Sequence, residues 1–335
     1  MSAVTRPGRV CPLHYRYPPG TLTQKPVIVA DTIYVIGGLY GNRPALAAIE
    51  QLAAAEAQPV TMVFNGDFNW FNIDPAGFAA INTAVLAHHA LRGNVETELA
   101  DDDDAAGCGC GYPESVSDAE VERSNAILSK LRATARSQPG LRQRLGALPM
   151  TLTADVGGVR VAIVHGDCDS LAGWRYDESA LRNPGGIAAA AADCTATGAR
   201  VIASSHTCLP VAVRVDTPAG ACALFNNGAA GMPNFAGTRF GLITRIAISP
   251  ATTPAALYGT NIDGIHVDAL AVAYDHAQWQ SEFSANWPGG SAAHLSYHQR
   301  IAGGPGYGIN QAMRQGIRIS APLRKQLLAT GGIPS

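Results

Sequence analysis

The chain has 335 residues, of which 47% are hydrophobic and 15% charged, and its 26 acidic and 24 basic side chains leave a net charge of -2. This length accommodates one large α/β domain or two modest ones, either with interior enough for a sizeable core. The near-neutral balance excludes a general electrostatic pull toward polyanions, so neither nucleic acid nor a membrane is expected as a partner.

Residues 1–26 are rich in Pro and aromatic residues, with Cys11-Pro12-Leu13-His14-Tyr15 as the one chemically varied cluster, and are read as an arm packed on the domain that follows. The first twenty residues mix Arg, Pro, Tyr and His and so read as neither signal peptide nor anchor. No later run approaches the roughly 18 apolar residues of a membrane helix. Seven cysteines without framework spacing point to reduced thiols, and the expectation is a soluble cytoplasmic protein. The oligomeric state is left open.

From Val27 the pattern predicts a strand through Ile33 to Ile36, a helix over Pro44–Ala55, where Pro near the start loses no needed N–H, and a strand over Val60–Phe64. A helix over Pro75–His88 and a short strand through Leu91 lead to Gly93-Asn94. Asp101 to Gly111, with its Cys108-Gly109-Cys110 core, has no periodicity and reads as a flexible surface loop. Ser117 to Glu120 then opens a helix with a capping-box pattern. Gly157-Gly158, between Thr151–Ala154 and Val159–Val164, signals a β-hairpin. An Ala-rich helix around Ile187–Ala196 precedes strands over Val201–Ser204, Val211–Val215, Cys222–Phe225 and Gly241–Ile248. Residues 27–249 are taken as the main domain and 250–335 as an appended cap, in which Trp279, Trp287, His294, Tyr297, His298 and Arg300 cluster.

Chemically varied residues follow several of the predicted strands. Asp67 follows Asn65-Gly66, Asn94 follows Gly93, His165 precedes Gly166-Asp167, and His206 lies in Ser205-His206-Thr207-Cys208. A carboxylate, an amide oxygen and two imidazoles delivered by strand ends form a ligand set for a borderline divalent ion, because such ions accept mixed nitrogen and oxygen donors. Mn, Fe, Co and Zn suit it about equally. Cys108 and Cys110 would supply only half of a structural zinc site. Gly37 to Gly41 lacks the spacing of a nucleotide-binding loop.

In order and context these motifs resemble those of the calcineurin-like metallophosphoesterases, over roughly residues 33–248. The frame of the first motif stands here as Gly37-Gly38-Leu39-Tyr40-Gly41-Asn42, with Gly38 where that family has Asp and Tyr40 where it has His. Gly66-Asp67 matches the second motif. Gly93-Asn94-Val95-Glu96 matches the third, with Val95 in place of His. His165-Gly166 matches the fourth, and Ser205-His206-Thr207-Cys208 the fifth, with Cys208 in place of its last His. The resemblance implies a four-layer α/β/β/α sandwich with mixed sheets, carrying a C-terminal extension.

It also implies a phosphoester hydrolase, in which two metals about 3.5–4 Å apart clamp an in-line displacement. Asp67 matches the bridging ligand, and Asn94, His165 and His206 match the ligands of the second metal. Gly38, Tyr40 and Cys208 stand at the three positions of the first. The implied cofactor is one divalent ion per chain rather than two, with Tyr40 and Cys208 as further candidate ligands or as fillers of the vacated space. Glu96 and Asp167 are candidates for orienting the ligands. Arg239, His294, His298 and Arg300 are candidates, by charge alone, for stabilising a leaving oxygen. The expected activity is metal-dependent hydrolysis of a small phosphomonoester or phosphodiester. A non-catalytic binding protein and a metal site rebuilt with Tyr40 and Cys208 are the alternatives.

Overall fold

The structure is a computed structural model and describes residues 6–9, 11–321, 323 and 324. The outer ends of the expected arm and extension, 1–5 and 325–335, lie outside the described residues. From Ile28 the chain alternates strand and helix through β1 (Ile28–Ala30), β2 (Thr32–Ile36), α1 (Arg43–Ala54), β3 (Thr61–Asn65), α2 (Pro75–Val85), β4 (His89–Leu91) and α3 (Asn94–Ala100). Helices α4 (Asp118–Arg136) and α5 (Pro139–Gly146) precede the hairpin of β5 (Thr151–Val156) and β6 (Val159–Val164). There follow α6 (Pro184–Thr197), β7 (Val201–Ser204), β8 (Val211–Thr217), β9 (Gly220–Asn226), β10 (Gly241–Ala247), β11 (Ala256–Ile262) and β12 (Ile265–Val272). The described chain closes with α7 (His276–Asn286), α8 (Ala292–Gly303), α9 (Ile309–Ala312) and β13 (Arg318–Ile319).

Local chemistry starts these helices. The Asn42 side chain accepts from Ala45 N at 2.9 Å ahead of α1, and Asp74 accepts from Gly77 N at 2.6 Å ahead of α2. Each cap satisfies an N–H that has no partner within its helix. Ser117 and Glu120 form the anticipated capping box at α4.

Among the described residues the strands form a six-stranded sheet, β1-β5-β6-β7-β9-β8, and a seven-stranded sheet, β13-β11-β12-β10-β2-β3-β4. Both are mixed: β2 runs parallel to β3 and β3 to β4, while β10 is antiparallel to β2 and to β12. Alternation along each strand divides its side chains between two faces. Ile33 and Val35 of β2 meet Val161 and Ile163 of β6 in a core between the sheets. Tyr34 and Ile36 face outward into a second core with α1, α2 and α4. Ala162 and Val164 of β6 face a third core with Ala190 and Cys194 of α6. The layers are therefore helix, sheet, sheet, helix, as the resemblance implied.

Two sequence expectations need correction. Residues 256–272 are not cap: β11 and β12 pair with each other and β12 pairs with β10, so the second sheet continues past the boundary drawn at 249. Residues 107–111 are not a loose surface loop either, since Cys108 and Cys110 are buried against the outer core.

Candidate metal centre

The motif residues gather where the two sheets present their carboxyl edges, with Gly37 to Gly41 after β2, Asp67 after β3, Asn94 after β4, His165 after β6 and His206 after β7. Four of the five described non-glycine residues with positive φ lie here: Tyr40, Asp67, His206 and Cys208, at 56°, 53°, 50° and 64°. Left-handed backbone costs a side-chain-bearing residue of order 1–3 kcal/mol and persists where its surroundings hold it. The loops are thus bent sharply, and they bring Asp67 and His206 to one point with His165.

The point is defined by acceptors. His165 Nδ1 lies 2.8 Å from Asn65 O and His206 Nε2 lies 3.0 Å from Cys110 O. A carbonyl can only accept, so both nitrogens carry their proton and the other nitrogen of each ring faces inward as a lone pair. Inward-facing His165 Nε2 has Asp67 Oδ2 at 3.4 Å, Asn94 Oδ1 at 3.2 Å and His206 Nδ1 at 3.3 Å. Four electron-rich atoms face one another, and the arrangement calls for a cation among them, either a proton on His165 or a metal. The donor atoms of Asp67, His165 and His206 lie within 4.8 Å of one another, a spacing that ligands about 2.0–2.2 Å from a common ion reach with a small inward shift.

The electrostatics follow from this crowding. Burial opposes ionisation of Asp67, but His165 and His206 outweigh it and hold the carboxyl below the ordinary aspartate range. Burial likewise opposes a charge on His165, yet Asp67 raises its pKa above the usual value. His206, buried and beside His165, is pulled down to about 3 and stays neutral. Neutral imidazole is the form that binds metal.

Backbone groups outside the motifs complete the centre. The Asn94 amide donates to Cys108 O at 2.9 Å, which turns its oxygen inward. Cys110 O accepts from Trp174 Nε1 at 2.9 Å as well as from His206. Gly107, Gly109 and Gly111 alternate with the cysteines at φ of 63°, 66° and 59°, and the carbonyls between them reach Asn94 and His206. A Cβ on Gly109 would collide with the Tyr15 hydroxyl. Glu96 accepts from the backbone N–H groups of Asp67, Phe68 and Gly93 at 2.7, 3.1 and 3.1 Å, clasping the second motif to the third. Burial and the Asp67 charge push its pKa up to about 7.

The altered positions form a compact group of their own. A Cβ on Gly38 would lie 2.8 Å from Tyr40 Cζ, so the Tyr40 ring covers the space that an aspartate at 38 would enter. The Tyr40 hydroxyl is 3.1 Å from Cys208 Sγ, and that thiol lies 3.2 Å from His206 O. Burial raises the pKa of both the phenol and the thiol, keeping the pair protonated. Val95 contributes its N–H to Asp67 Oδ1 at 3.1 Å.

Beside the centre lies a cavity of about 370 Å³ lined by Tyr40, Asp67, Asn94, His206 and Cys208 together with Trp70, Tyr112, Trp174, Tyr297 and Arg300. Of the four charge-based candidates, the structure brings only Arg300 to it. Arg239 is exposed elsewhere, because β10 starts two residues later and carries the chain away. His294 and His298 stack on each other at 4.5 Å, one turn apart on α8, and do not line the cavity. Asp167 is spent on its own turn, accepting from Asp169 N and Ser170 N at 3.0 and 3.1 Å and pairing with Arg175 at 3.4 Å. Trp174, edge-on to His206 at 5.6 Å, was not anticipated. The alternating glycines of 107–111 were the available signal for the Cys108 and Cys110 carbonyls.

No protein-family model matches the sequence, and no curated protein is matched by it. Solved structures are similar in fold. A metallophosphoesterase from Sphaerobacter thermophilus is 19% identical, with 82% of this chain and 100% of that one covered at a TM-score of 0.51. A hypothetical protein from Pyrococcus horikoshii OT3 is 16% identical, with 80% of this chain and 98% of that one covered at a TM-score of 0.52. With its two mixed sheets between helical layers and its motif loops gathered at one edge, the chain has the metallophosphoesterase fold.

Proposed function

We propose that the protein is a metal-dependent phosphoester hydrolase that uses one divalent ion held by Asp67, Asn94, His165 and His206 to act on a small phosphorylated substrate. The observation that carries this reading is the convergence of four lone-pair atoms whose ring tautomers and amide orientation are set by backbone carbonyls of Asn65, Cys110 and Cys108. A divalent ion bound there supplies Lewis acidity toward a phosphoryl oxygen and a water of lowered pKa. Asp67 brings the carboxylate, held in place by the Val95 N–H. Trp174 covers one edge of His206, and Tyr112 packs on Trp174 at 5.8 Å, so this wall limits water at the centre. A cavity of about 370 Å³ is of the size that takes a small molecule.

The test is turnover of a panel of small phosphomonoesters and phosphodiesters before chelation, after it, and after Mn2+ or Zn2+ is restored. Hydrolysis that chelation abolishes and metal restores is the expected result, and hydrolysis unaffected by chelation would sink the reading. A second reading, a ligand-binding protein without catalysis, draws support from the Tyr40 ring covering Gly38 and from its bond to Cys208. It predicts bound metal with no turnover of any ester in the panel.

A further inference from the structure

Arg300, in the last turn of α8, is the one Lys or Arg among the described residues lining the cavity. Its guanidinium is clamped by neutral oxygens: Nε donates to Pro233 O at 3.0 Å and Nη2 to Cys208 O at 2.6 Å, with Asn234 Oδ1 at 3.4 Å. No described carboxylate pairs with it, in contrast to Arg132, Arg175 and Arg245, which all meet acids. A guanidinium has five N–H donors, and no described group takes those on Nη1. The position is equally telling. Through Cys208 O the guanidinium is tied to the residue that bonds Tyr40, two positions beyond His206.

A planar, rigidly held cation lining this cavity, with its Nη1 donors free of any described partner, can donate to an oxyanion bound there. Arg300 supplies a positive charge on the side where Tyr40 and Cys208 place none.

We propose that Arg300 is the phosphoryl-binding residue of this site, a proposal that rests on the one-metal hydrolase reading. The probe is inorganic phosphate, titrated calorimetrically into the full chain loaded with Mn2+. Arg300→Gln is expected to weaken phosphate binding roughly 10–100-fold, the loss of a charged hydrogen-bonding partner, while Mn2+ content stays at the wild-type level. Arg300→Lys is expected to fall between, because an ammonium keeps the charge but loses the fixed orientation of the clamped guanidinium. Unchanged phosphate affinity in a Mn2+-loaded Arg300→Gln protein would overturn the proposal.

Because Arg300 also pins α8 to the loop of Pro233, the variant can fail to fold, and a measurement on the wild type covers that case. Phosphate should protect Arg300 from phenylglyoxal, read by mass spectrometry of its peptide; equal modification with and without phosphate overturns the assignment. Failure of the underlying reading looks different. A wild-type chain that takes up no Mn2+ contradicts the metal centre, whereas protection of Arg300 in that same protein still upholds its role.

Discussion

His206→Ala is expected to lower the affinity for a divalent ion by two to three powers of ten while leaving the fold intact. The ring contributes one of four inward donors, and structural sites of four ligands hold their metal with roughly 10–16 kcal/mol, so one ligand accounts for about 3–4 kcal/mol. The loss is confined because the ring's other contacts are few: Nε2–H on Cys110 O, which also accepts from Trp174, and edges against Trp174 and His165. His165→Ala would cut affinity as well, but it also frees Asn65 O inside a fully buried site and so confounds binding with stability. Competition with a chromophoric chelator, alongside circular dichroism, measures the effect. An affinity within threefold of wild type would remove His206 from the ligand set.

The largest expected loss of stability comes from a site remote from the centre. Arg245 of β10 is 1% exposed and forks onto Glu56, Nε to Oε1 at 2.6 Å and Nη2 to Oε2 at 3.1 Å, while Nη1 reaches Asp268 Oδ2 at 3.3 Å and Ser249 O at 2.8 Å. The Tyr34 hydroxyl adds a bond to Glu56 Oε1 at 2.8 Å. Arg245→Met keeps the aliphatic stem but strands two carboxylates at the edge of the core. Removing one partner of a buried ion pair costs about 3–5 kcal/mol. For a chain of 335 residues that corresponds to a melting temperature lower by about 4–7 °C.

The pH dependence has a definite sign. Burial opposes ionisation of Glu56, but the guanidinium holds its pKa below the usual range, while burial already lifts Asp268 to about 6. Without the guanidinium both carboxyls move upward. A carboxyl whose folded pKa exceeds its unfolded one stabilises at low pH and loses that contribution as pH rises through the folded value. The deficit of Arg245→Met in urea melts should therefore be smaller at pH 5 than at pH 7.5. A deficit equal at both pH values, or below 1 kcal/mol at the higher one, would contradict this account of the network.

What the sequence made legible follows from how each feature is encoded. The strand Val201–Ser204 is legible to the residue because a buried run ends at a polar pair, and His165 and His206 stand out because each follows such a run. Strand β11 is interrupted by Gly259 and Asn261, which blurs its alternation, although Asp263-Gly264, at φ of 53° and 88°, is a hairpin signal of the kind that marks a tight turn. Helix α3 is masked because its first residue is also the candidate ligand Asn94.

The remaining features are carried by backbone atoms or by neighbours that spacing does not reveal. The Cys108 and Cys110 carbonyls orient Asn94 and His206 through backbone atoms, which any residue carries. Asp167 looked like an orienting acid from its place after His165-Gly166, yet the nearby Arg175 and the turn N–H groups claim it. The Tyr40 ring over Gly38 links residues two apart in sequence through a positive-φ turn, a geometry that spacing does not reveal.

On the proposed function, Asp67, Asn94, His165 and His206 make one complete metal centre and the neighbouring positions hold none. Elemental analysis of protein purified without chelators, set beside Asp67→Ala, tests it most directly. One equivalent of a divalent transition metal in the wild type and essentially none in Asp67→Ala is the predicted result. Two equivalents in the wild type, or one retained after Asp67→Ala, would contradict it.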